Sequence, residues 1–136
     1  MHNEEEILKR ALQFIVENLS NKDLTVLMTA EAANTNMKKL YEIFCCYIDM
    51  CTKRCILTLR MEGVEKEIIT AYQRKKSVKS ASVALKYGFS SMSGMNNSIK
   101  LLEGVTFIGF KKKVIKNYLA GNSPLVNNEF IRKFLH

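Results

Sequence analysis

The chain of 136 residues has no tryptophan, one proline and six glycines. So little Pro and Gly excludes a collagen-like or loop-rich chain. Histidine is confined to His2 and His136, at the two ends, which removes most hydrolase triads and histidine-based metal sites. Neither common Gly-rich phosphate loop is present. Apolar runs such as Cys55-Ile56-Leu57 fall far short of the about 20 residues that span a membrane. The opening Glu4-Glu5-Glu6 is the opposite of a signal peptide's basic start. No residues converge in the sequence for acid–base or nucleophilic work, so an enzyme is not expected.

What is present is a globular composition, 47% hydrophobic and 25% charged, enough for one domain or two very small ones. The formal charge is +8 and it is unevenly spread. Residues 1–50 hold five basic and eight acidic side chains, a net of −3, while residues 51–136 hold sixteen and five, a net of +11. An anionic partner is therefore expected on the second half.

Hydrophobic periodicity is helical throughout. Ile7, Leu8, Ala11, Leu12, Ile15, Val16 and Leu19 form one stripe behind a capping-box-like Asn3 and Glu6. Thr25 is placed to cap a short Ala-rich helix, Asn34 to make a tight left-handed turn, and Asn36 to cap a third helix with Leu40, Ile43, Phe44 and Tyr47 inward. Lys38, Tyr41, Glu42 and Cys45 then point outward. A long helix runs from about 52 to 73, weakened by Gly63. The basic connector Arg74-Lys75-Lys76-Ser77 follows, then a short helix with Val83, Ala84 and Tyr87, closed by Gly88. Ser90 or Ser91 opens the next helix, with Met95, Ile99 and Leu102 inward. Met92, Ser93, Asn96, Asn97 and Lys100 face out. Thr106 caps a helix carrying Lys111, Lys112, Lys113 and Lys116, broken by Gly121 and Pro124. Asn128 opens a last helix, Glu129 to Leu135. The fold class is all-α. The expected divisions are 1–50, a linker helix and connector at 51–77, 78–120, and a tail at 121–136 with a short helix.

Twice, a short Ala-containing helix meets a tight turn and then a capped helix with polar outward residues. This is helix-turn-helix patterning, whose second helix can read base edges in the major groove. The letters of residues 79–110 carry more. Ala84-Leu85-Lys86-Tyr87-Gly88-Phe89-Ser90-Ser91, then Lys100, Gly104-Val105-Thr106 and Phe110, resemble the signature of the AraC/XylS family of bacterial transcription regulators. Leu24-Thr25, Ala30, Ala33, Leu40 and Phe44 extend the resemblance upstream, and Arg60 falls near the end of the family's linker segment. It covers roughly residues 7–116. Differences are also present. Asn34 and Asp49 replace common glycines, Glu42 stands where small activators carry Arg, and Met92, Gly94 and Asn97 replace bulkier or basic residues. Phe107 replaces a Pro, and the segment 62–77 is longer.

The resemblance implies two helix-turn-helix subdomains joined by a long linker helix. It is closest to the small stand-alone activators of multiple antibiotic resistance and superoxide stress. It implies a cytoplasmic, nucleoid-associated monomer that binds double-stranded promoter DNA and contacts RNA polymerase, with no separate effector-binding domain and so no small-molecule effector. Base-reading candidates are Ser93, Asn96, Asn97 and Met92 in the second unit, and Lys38, Tyr41 and Glu42 in the first. Phosphate candidates are Lys86, Lys100, Lys111, Lys112 and Lys113, with Arg74, Lys75 and Lys76 from the connector. Each also reads as an ordinary solvated surface. A protein-interaction module that reads DNA weakly is the alternative, motivated by the acidic first half, Glu42, Met92 and Gly94. Cys45, Cys46, Cys51 and Cys55 lie within eleven positions but lack paired Cys-x-x-Cys spacing. They read first as reduced cytosolic thiols, and a thiol or metal sensor is the rival; no cofactor or metal is expected.

Overall fold

The structure, a computed structural model, describes residues 3–135. Those residues form eight helices and no strand. They are α1 (Glu4–Glu17), α2 (Val26–Ala32), α3 (Met37–Tyr47), α4 (Thr52–Gln73), α5 (Ser80–Lys86), α6 (Met92–Glu103), α7 (Phe107–Leu119) and α8 (Glu129–Arg132). The chain is all-α, with two short-helix–turn–longer-helix pairs, α2–α3 and α5–α6.

Local chemistry sets most helix starts. The side chains of Asn3, Thr25, Asn36, Ser91 and Thr106 accept from the third backbone N–H of the helix each precedes, at 2.8–3.3 Å. Each satisfies a donor that the helix itself cannot. Of Ser90 and Ser91, the cap is Ser91. Asn128 makes no such bond, and α8 stops at Arg132 rather than Leu135.

Two compact units form, residues 3–59 with 128–135, and residues 60–127. The division falls inside α4 and again at 127/128, not at the sequence boundaries of 50, 77 and 120. The reason lies in side chains, because α4 carries two successive apolar sets. Cys55, Ile56 and Leu59 belong to the first unit's core, with Leu8, Leu12 and Ile15 of α1 and Leu40, Ile43 and Phe44 of α3. The 128–135 segment joins that same core through Ile131, which is 0% exposed. The Phe134 ring meets Tyr47 edge-on at 6.2 Å.

In the second unit, α4 buries Met61, Val64 and Ile68; α5 buries Val83 and Ala84; α6 buries Met95 and Ile99; α7 buries Phe107, Phe110 and Val114. Gly63, read from sequence as a weak point, has a steric purpose. A Cβ built there would run into the Tyr87 ring. The absence of a side chain lets Tyr87 lie against α4, where its hydroxyl donates to Glu67 Oε2 at 2.9 Å. Glu65, 1% exposed, is a carboxylate in the interior. It accepts the backbone N–H of Leu125 at 2.7 Å and of Val126 at 2.9 Å, pinning the segment after α7. Charge-assisted bonds of this kind make such burial tolerable.

Candidate nucleic-acid interface

The two helix pairs turn by the same backbone device. After α2, Thr35 N–H bonds to Ala30 O at 2.9 Å and Asn34 N–H to Glu31 O at 3.1 Å. After α5, Phe89 N–H bonds to Ala84 O at 2.9 Å and Gly88 N–H to Leu85 O at 3.3 Å. This double closure requires a left-handed residue at its corner. Asn34 supplies it at φ +55° and Gly88 at φ +83°. The Asn34 difference thus preserves the turn, since Asn tolerates this conformation better than most side chains.

Beyond the second turn, Ser91 aims α6 and leaves Met92, Ser93, Asn97 and Lys100 exposed. Met92 Sδ accepts from Ser80 Oγ at 2.8 Å. Asn96 departs from expectation. It is half-buried, and its Oδ1 accepts the Phe107 N–H, a donor in the first turn of α7, at 2.8 Å. Through this bond the half-buried Asn96 positions α6 against α7. That leaves Asn97 as the carboxamide on the outer face.

Lys38, Tyr41 and Glu42 are exposed on α3, as the pattern required, but Cys45 is half-buried. A hydrogen bond with the Cys45 thiol pushes the Tyr41 phenol above its usual range. The neighbouring Lys39 is tied to Glu4 at 2.7 Å, and this contact raises the lysine's pKa and lowers the carboxylate's.

The phosphate candidates differ among themselves. Lys100, Lys112 and Lys113 are exposed, and Lys111 is half-buried. Glu103 stands near Lys113; burial raises its pKa, and the lysine opposes that. Lys86 is engaged: its Nζ bonds both oxygens of Glu67, at 3.1 and 3.0 Å. That contact holds the Glu67 carboxyl below its ordinary value. Arg74, Lys75 and Lys76 are exposed at the end of α4, with Lys75 at φ +55°.

The four thiols do not act as a set. Cys55 is buried, and desolvation pushes its thiol up to about 12, leaving it protonated and inert. Cys51 lies just before α4, near enough to Cys55 to add to that shift. Among the described residues, no group of three His, Cys, Asp or Glu side chains is placed to hold a metal.

Three residues that position this surface were not singled out from sequence: Tyr87 as the partner of Gly63, and the acids Glu65 and Glu67. A signal for Glu65 does exist, because it interrupts the apolar positions Met61 and Ile68 at helical spacing.

Charge separates the units completely. Residues 60–127 hold twelve basic and four acidic side chains, a net of +8; the other unit holds nine of each, a net of zero. The excess lies mainly on α5, α6 and α7, with a net of +5, and on residues 74–79, with a net of +4, against −1 for residues 60–73.

No protein-family model matches the chain, and no curated protein matches its sequence. A solved structure does match: the C-terminal domain of AraT, a response regulator from Geobacillus stearothermophilus, with a TM-score of 0.67 over 90% of this chain and 92% of that one. The two share a fold. At 17% identity the likeness is one of backbone path, carried by the helix order just described. None of the described helices is long and apolar enough to cross a membrane.

Proposed function

We propose that this chain is a sequence-specific, non-enzymatic DNA-binding transcription regulator of the AraC/XylS kind, in which α6 enters the major groove. The observation that carries this reading is the coincidence of charge and motif. All of the net +8 lies in the unit whose helix pair bears the family-like residues 84–91 and 104–110. The shared fold with a regulator's C-terminal domain supports it. In this reading Ser93 and Asn97 address base edges, while Lys100, Lys111, Lys112 and Lys113 neutralise phosphates and fix the register. The finer proposal is a cytoplasmic monomer that activates stress or antibiotic-resistance genes and touches RNA polymerase. A mobility-shift assay with genomic fragments tests the core of it. Sub-micromolar, salt-sensitive retardation of fragments sharing a site of roughly 20 bp, two helical turns, is expected. No retarded fragment at low salt rejects the proposal.

A second reading has its own observation. The first unit is neutral overall and presents Glu42 on α3, which would repel phosphate. There α3 serves a protein partner while α6 alone holds DNA. Glu42→Arg should then tighten DNA binding and weaken capture of RNA polymerase in a pull-down without DNA. Unchanged polymerase capture would leave α3 to DNA.

A further inference from the structure

Behind α5 lies a cleft of about 330 Å³, and Arg74, Lys76 and Lys86 in its lining are also phosphate candidates of the DNA reading. Its walls are the last turns of α4, the 76–79 connector and the inner side of α5, all within the second unit. Its size is at the lower end for small-ligand sites. Its chemistry is divided. Four cations line the cleft, Arg74, Lys76, Lys79 and Lys86, and of these Lys86 is engaged by Glu67. Lys76 and Lys79 have no carboxylate partner among the described residues. The left-handed turn at Lys75, closed by Lys76 N–H to Ala71 O at 2.9 Å, carries the chain back over the cleft and fixes the connector there.

Glu67 lines the cleft too, with three residues that carry hydroxyls, Thr70, Ser77 and Ser82. Glu67 is held by Lys86 on both oxygens and by Tyr87 on Oε2. A carboxylate has about four acceptor sites, so Oε1, which accepts from Lys86, has room for a hydroxyl as well. The apolar remainder is aliphatic: Ala71, Val78 and Val83.

We propose that this cleft binds a small phosphorylated polyol, with the phosphate on Arg74, Lys76 and Lys79 and the hydroxyls on Glu67 and the Ser/Thr set. A phosphomonoester carries about −1.5 to −2 at neutral pH, which suits a cleft lined by several cations better than the single charge of a DNA phosphodiester. The Glu67 carboxylate repels a nucleic-acid backbone but orients sugar hydroxyls. A nucleotide is disfavoured because no aromatic ring lines the cleft to stack a base. The site would give this unit a small-molecule effector.

The test is amide NMR on the full chain, titrated with glucose phosphate, glucose, inorganic phosphate and duplex DNA. It needs no promoter, so it can fail while the DNA reading stands, and the reverse. Glucose phosphate should give saturable shifts confined to residues 70–86, and glucose none. Lys76→Ala with Lys79→Ala should weaken binding about tenfold or more, since it removes two charge-assisted hydrogen bonds to the phosphate. Glu67→Gln should reduce glucose phosphate to the affinity of inorganic phosphate, with Lys76→Ala/Lys79→Ala as the variant that leaves the Tyr87 contact intact. Equal affinity for inorganic phosphate and glucose phosphate in the natural protein overturns the polyol assignment. No saturable shift by about 10 mM, or shifts of these amides by DNA alone, overturns the site.

Discussion

Asn96 and Asn97 are adjacent and identical in chemistry, yet the fold gives them different work. Asn97→Ala should leave the melting temperature nearly unchanged and lower discrimination against a wrong base by about 1–3 kcal/mol, read in competition mobility shifts. Asn96→Ala should do the opposite first. It leaves the Phe107 N–H without its acceptor and should destabilise the protein by about 1–3 kcal/mol, seen in thermal unfolding. Glu67 makes a pH prediction. Its lowered pKa means that its stabilising contribution is fully present above the ordinary 4.5 and is lost as pH falls through the lower, folded value. Tyr87 bounds the alkaline side. Burial, and then Glu67, push it up to about 12, so its contribution is present below 10.0 and is lost as pH rises toward 12. The melting-temperature gap between the natural protein and Glu67→Gln should therefore shrink as pH falls below the ordinary 4.5. A constant gap would mean that Glu67 keeps no lowered pKa.

Among the helices, two glycines with the same propensity should behave in opposite ways. Gly63 in α4 faces the Tyr87 ring, whereas a Cβ on Gly94 in α6 would meet only Ser91 Oγ, at an ordinary 3.4 Å. Gly94→Ala should stabilise by about 0.5–1 kcal/mol, the helix-propensity gain. Gly63→Ala should destabilise by about 1–3 kcal/mol through overpacking. Tyr87→Ala in the same chain should recover part of the Gly63→Ala loss, a coupling measurable in a double-mutant cycle. If both glycine variants stabilise, the Tyr87 contact is not what holds α5 against α4.

For the whole molecule, what matters is where the charge sits. Counterion release ties the salt dependence of DNA binding to the number of phosphates neutralised. Lys111→Gln with Lys112→Gln should reduce the slope of log affinity against log salt by about 0.9 for each phosphate left unneutralised, and should weaken all sequences alike. The same change at Lys38 should do less, because the first unit contributes no net charge. Equal effects in the two units would show both helix pairs gripping the backbone together.

Helix positions and caps were legible in the sequence because they rest on local rules. Apolar spacing of three and four, Asn, Ser or Thr before a helix, and a corner residue that tolerates φ > 0 involve neighbours only a few positions apart. They placed α1 to α7, the outward set Ser93, Asn97 and Lys100, and the corners at Asn34 and Gly88. Tertiary packing decided what depends on partners far along the chain. It set Gly63 beneath Tyr87, turned the interior carboxylate of Glu65 into a clamp on residues 125–126, paired Lys86 with Glu67, bound Asn96 to Phe107, and drew Ile131 into the first unit's core. Periodicity tells which face of a helix is buried. It cannot tell against what, and that was settled only where steric fit and hydrogen-bond satisfaction had to be met in three dimensions.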